Sequence, residues 1–99
     1  METIYLRIIK SRDAVIVAAC DKPLLGKTFR QGKLKLEVSP GFYEGPLSTV
    51  EETLQALEAA TIGNLVGEVV VSAAVERGLV NPDAIIRIDG IPHAQILKL

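Results

Sequence analysis

Cys20 and His93 are the one thiol and the one imidazole of the chain. A thiolate attacks and an imidazole takes its proton, so this pair, with Asp21 beside the cysteine, is what a small thiol enzyme would use. That chemistry needs an exposed cysteine with its pKa lowered by nearby cations. The flanking residues argue the other way. Cys20 ends the apolar run that begins at Ala14, and a cysteine in such a run is most often inert packing. Pro92 fixes the backbone before His93 and could aim the ring, but a lone histidine serves as readily as a structural hydrogen-bonder. Cys20, His93 and Asp21 are therefore candidates only, and no catalytic residue is assigned.

The charge layout says more. Lys22, Lys27, Arg30, Lys33 and Lys35 follow one another with no acid among them, and Glu37, Glu44, Glu51, Glu52 and Glu58 follow with no base. The formal net charge of −1 conceals a basic segment beside an acidic one. Lys27, Arg30, Lys33 and Lys35 would suit a phosphate backbone. Phe29 and Tyr43 are near enough in sequence to stack bases. His93 and Gln95 would add polar contacts. The plainer alternative is a solvated strand face that pairs with the acidic helix.

Other chemistries fall away. Gly26-Lys27-Thr28 has the tail of a phosphate-binding loop, but Asp21 stands where its first glycine belongs, and a strand follows in place of a helix. Only a looser phosphate contact from Lys27 and the loop amides remains. One histidine, one cysteine and scattered carboxylates offer no metal-ligand spacing, and nothing calls for a cofactor. A single cysteine permits no internal disulfide. The run Ala14 to Cys20 ends like a lipoprotein cleavage site, yet it is short and follows Asp13 directly, so a buried strand is expected instead. No stretch is long and apolar enough to span a bilayer.

These residues need a scaffold. At 99 residues, 48% of them hydrophobic, the chain can bury one core. Thr3 to Lys10 and Ala14 to Ala19 are rich in β-branched residues and predict two strands in a hairpin. Asp21 to Gly32 reads as an irregular loop. Lys33 to Val38 alternates apolar and charged residues, as a half-buried strand does. Ser39 to Leu47, with two prolines and two glycines, reads as another loop.

Ser48-Thr49-Val50-Glu51 predicts a capping box that opens a helix with Val50, Leu54 and Leu57 on its apolar face. A break near Ala60-Thr61 and a second helix from Ile62 are expected, with Gly78 as its C-terminal cap. Gly63 and Gly67 would stand inside that helix as a close-packing surface, or as part of a dimer face. Ala84 to Ile88 and Ile91 to Leu99 predict two last strands about an Asp89-Gly90 turn. The expected architecture is a single α+β domain over residues 1–99, in two layers. A largely antiparallel five-stranded sheet would carry two helices on one face.

Several segments taken together resemble a known family. They are Ala18-Ala19-Cys20-Asp21 with Leu24-Leu25-Gly26-Lys27-Thr28-Phe29, Gly32 to Ser39 with Phe42-Tyr43, Asn64 to Glu68, and Ile91 to Ile96. They are similar to the archaeal domain of unknown function 424, over essentially the whole chain. The resemblance implies a cytoplasmic archaeal protein and transfers no catalytic residue. The leading expectation is a non-enzymatic module that binds RNA or a ribonucleoprotein through its basic loop and strand. The alternatives are a small enzyme with a Cys20/His93 site and a protein-interaction or self-associating subunit.

Overall fold

The computed structural model describes residues 1–98. Its strands and helices, in chain order, begin with β1 (Ile4–Lys10), β2 (Val15–Asp21), β3 (Thr28–Gln31) and β4 (Leu34–Glu37). Then come α1 (Pro40–Tyr43), β5 (Leu47–Ser48), α2 (Val50–Glu58) and β6 (Ile62–Val66). The last are α3 (Glu68–Glu76), β7 (Ile86–Ile88) and β8 (Ile91–Leu97). Leu99, expected in the last strand, lies outside the described residues.

The fold is mixed α+β, as expected, but the sheet is larger than five strands. Six strands lie in the order β5-β1-β2-β6-β8-β7, and β3 with β4 makes a second, two-stranded sheet. Every pairing is antiparallel except the central one, β2 with β6, which is parallel. A strand buried on both faces shows no alternation of apolar and polar residues. Val17-Ala18-Ala19-Cys20 is such a run, and all four residues are inaccessible to solvent. This central burial bears out the strand expectation over Ala14 to Cys20.

The same effect defeats the expectation of a helix from Ile62. Ile62 to Val66 is β6, central and half-hidden on both sides, and the helix begins only at Glu68. Gly63 therefore lies in a strand, not in a helix or on a dimer face. A Cβ there would stand 3.2 Å from both Leu57 and Ile96, so its small size lets α2 lie close on the sheet. The capping box falls one residue later than expected. Thr49 accepts from the Glu52 N–H at 3.1 Å and the Glu52 carboxylate accepts from the Thr49 N–H at 2.8 Å. Ser48 is instead paired with Ile4 in the sheet. Gly78 closes α3 as expected, with φ +79 and with bonds from Gly78 and Leu79 back to Val75 and Ala74.

Two cores result. On one face of the sheet, Leu6, Ala19, Leu65 and Ile96 pack against Leu54 and Leu57 of α2 and Val70, Val71 and Ala74 of α3. On the other, Ala18, Cys20 and Val66 are covered by Leu36 of β4 and Val38 just after it, Tyr43 from α1, and Ile88. The second face is thus not bare, because the loop expected over Asp21 to Gly32 folds partly into β3.

Candidate functional site

The β3–β4 hairpin holds the basic residues. Gly32, with φ +60, turns the chain, and the register sets Phe29 opposite Leu36, Arg30 opposite Lys35 and Thr28 opposite Glu37. Side chains alternate across a strand. Phe29 and Leu36 therefore face the core, while Arg30 and Lys35 share the outer face. Lys27, Arg30, Lys33 and Lys35 are all exposed. The hairpin is held by several ties: Gly26 N–H donates to the Val38 carbonyl at 2.8 Å, Val38 N–H to the Lys27 carbonyl at 2.9 Å, and Asp89 N–H to the Gln31 side chain at 2.7 Å.

Among the described residues the hairpin cations form no ion pair, although Glu37 of β4 shares the outer face with Arg30 and Lys35. Among the described residues, the ion pairs are those of Arg77 with Glu51 (2.6 Å) and Glu58 (2.9 Å), and of Arg87 with Glu68 (3.1 Å). The acidic helix α2 is thus matched by Arg77 of the turn after α3, not by the basic strand. Like charges directly opposite one another destabilise a strand pair, and Arg30 and Lys35 are so placed.

Of the two roles open to Phe29 and Tyr43, stacking a base or packing the loop, the structure favours packing. Tyr43 is buried, and Phe42 meets its ring edge-on at 5.0 Å. Phe29 is half-buried against the second core. Tyr43 offers no face for a base to stack on, and Phe29 is committed in part to the core. The loop amides are also committed: Gly26 bonds Val38 and Lys27 bonds the Leu24 carbonyl at 3.0 Å. With these two amides taken, the Gly26-Lys27-Thr28 turn leaves the Lys27 side chain for phosphate, and Thr28 enters a strand, as a phosphate-binding loop would not.

The thiol and imidazole are not brought together. Cys20, Val66 and His93 lie side by side on three adjacent strands, so two strand spacings, roughly 10 Å, part their backbones. Cys20 is fully buried, and burial, with the Asp21 charge adding to it, pushes its thiol up to about 12. That is the reverse of what an attacking cysteine needs. Burial lowers the half-buried His93 imidazole below its ordinary value. Gln95, exposed on the same strand, donates to Asn64 at 3.0 Å. His93 and Gln95 belong to the main sheet, not to the hairpin. No cluster of potential metal ligands forms among the described residues.

Asp21 has a different role. Its carboxylate accepts from the N–H groups of Val69 (2.8 Å) and Val70 (3.0 Å), so a residue of β2 caps the helix that follows β6. Burial raises its pKa, outweighing the two N–H bonds, which lower it; Glu68 raises it further. Gly67 makes the contact feasible. Its φ is +119, and a Cβ would stand 2.3 Å from the Asp21 carboxyl carbon. The visible signal was an aspartate ending an apolar run; Gly67, expected inside a helix, instead stands just before one. Their meeting across 46 positions was not readable.

Beside this cap lies a cleft of about 430 Å³ that the sequence did not announce. Lys22, Pro23 and Leu24 form one wall, Val69 of α3 a second, and Ile91 and Pro92 of β8 a third, with Asp21 at the cap. It sits at the carboxyl ends of the one parallel pair, where open α/β sheets place their ligands.

A family model described as a protein of unknown function (DUF424) matches residues 9–99. A crystal structure of an uncharacterized conserved protein from Methanopyrus kandleri is similar over 97% of this chain and 93% of its own, at 30% identity and a TM-score of 0.79. No curated protein matches. No helix among the described residues is long and apolar enough to cross a membrane.

Proposed function

We propose that this chain, which belongs to the DUF424 family of proteins of unknown function, is a single-domain, non-enzymatic module that binds a polyanion, RNA or a ribonucleoprotein, in the cytoplasm. The contact surface is the outer face and tip of the β3–β4 hairpin: Lys27, Arg30, Lys33 and Lys35. The observation that carries this reading is Arg30 facing Lys35 across the hairpin, both exposed and neither in an ion pair. A fold that keeps a repulsive pair on a small, separate sheet retains positive charge where a phosphate chain can reach it. Without exposed aromatics, binding rests on phosphate contacts and carries little base preference.

The test is fluorescence anisotropy with single-stranded RNA at two or more salt concentrations. Four phosphate contacts to a single strand predict a log–log salt slope of about −3. A variant with Lys27, Arg30 and Lys33 all changed to Glu, shown folded by circular dichroism, is expected to lose the binding. Absent binding, or binding indifferent to salt, would overturn the reading.

A further inference from the structure

We infer that the cleft between Pro23-Leu24, Val69 and Ile91-Pro92 is a binding site for a small, non-anionic molecule with an apolar body and a hydrogen-bond donor. This is independent of the hairpin reading. Its position first suggests phosphate, since a helix N-terminus beside the carboxyl ends of parallel strands is where phosphate groups are commonly held. Here that seat is taken. The Asp21 carboxylate already fills the start of α3 at 2.8 and 3.0 Å from the Val69 and Val70 nitrogens. Gly67 is shaped to let it in. An anionic ligand would meet a carboxylate in place of free N–H groups. Glu68 stands next to it, and Glu68 is itself paired with Arg87 at 3.1 Å.

The remaining lining decides the ligand class. Pro23, Leu24, Val69 and Ile91 present aliphatic surface around a cleft of about 430 Å³ backed by the buried Pro92, within the range that holds small organic molecules. Lys22 is the only cation among the lining residues, and it is exposed, so its ammonium can reach past the cleft into water. The cleft is almost wholly apolar, and Asp21, 8% exposed, is the acceptor at its end. Each of its oxygens accepts one N–H and retains a second acceptor site. A ligand hydroxyl or amine could use that site while its apolar body fills the cleft.

A matched series of single-ring compounds tests this: benzyl alcohol and benzylamine against benzoate and phenyl phosphate, each titrated into the whole chain and followed by amide and methyl NMR. The alcohol and amine are expected to give saturable shifts centred on Leu24, Val69 and Ile91. The two anions are expected to bind at least about tenfold more weakly there. Val69→Trp, which fills the cleft from an exposed helix position, is expected to abolish the shifts, and Val69→Ala to keep them. The alanine variant guards against misreading a folding defect. No saturable shift from any compound, shifts elsewhere in the molecule, or phenyl phosphate binding as well as the alcohol would each overturn the inference.

Discussion

His93 is half-buried on β8, and burial holds its imidazole below the ordinary value of 6.5. The consequence for stability has a definite sign. In the unfolded chain the ring takes up its proton near 6.5, whereas the folded chain takes it up only at lower pH. Between those values the unfolded state binds more protons, so stability is complete above 6.5 and falls as pH drops through the folded value. His93→Gln is expected to flatten this part of a denaturation-midpoint profile, and an NMR titration of wild type should place the ring's midpoint below 6.5. A midpoint at or above that value would contradict the burial. Asp21 acts in the opposite sense, in a window that opens at its ordinary value of 3.8. Its raised carboxyl gives stability that is present below 3.8 and is lost as pH rises through its folded value. The two windows approach each other from opposite ends, so the His93→Gln comparison is what separates the histidine's part from the aspartate's. Cys20 belongs to the same residue-level lesson: its neighbours Val17 to Ala19 were legible as buried, and that burial alone disqualifies the thiol as a nucleophile at neutral pH.

At the scale of elements, the β3–β4 hairpin sets stability against binding. Arg30 and Lys35 repel across it, and opposite charges in such a pair contribute roughly 0.2–1 kcal/mol relative to a neutral pair. Lys35→Glu should therefore raise the denaturation midpoint slightly while weakening binding to RNA. The two readouts are expected to move in opposite directions. If the variant is both less stable and a weaker binder, Lys35 has a packing role in place of the proposed one. The sequence made β4 legible, since Leu36 and Val38 alternate with Lys35 and Glu37 and turn inward as alternation requires. It hid β3, because Thr28 to Gln31 is short and mostly exposed, and nothing local announces its pairing partner. It hid β6 for a different reason. Ile62, Leu65 and Val66 match helical spacing with the apolar residues that follow, and only the positive φ of Gly67 separates strand from helix. Periodicity cannot distinguish a central strand from a buried helix when the two adjoin.

At the scale of the whole molecule, the two faces of the main sheet are closed by different kinds of cover. The α2 and α3 side is built on two nine-residue helices joined across Arg77. The other side is closed by a two-stranded sheet with no strand-to-strand bond to the main one, and such a hairpin has little stability of its own. The hairpin layer should therefore open at lower free energy than the global fold, as cooperative sub-units of proteins do. Cys20 is a built-in reporter, being fully buried beneath that layer with Leu36, Val38 and Tyr43. Labelling by a thiol reagent, under conditions where opening and closing outpace the reaction, measures how often the layer lifts. Leu36→Ala removes a side chain from that core, and Leu57→Ala removes one from the helix-side core. Each costs about 2–5 kcal/mol in a well-packed site, and 2 kcal/mol is a factor of about 30 in an equilibrium constant. If the layers open separately, Leu36→Ala speeds labelling by at least about that factor, while Leu57→Ala leaves it nearly unchanged as long as global unfolding stays rarer than the lift. If both variants speed labelling alike, the chain opens only as one unit. The hairpin would then be fixed as firmly as the sheet it covers, and its cations would meet a partner as a rigid surface.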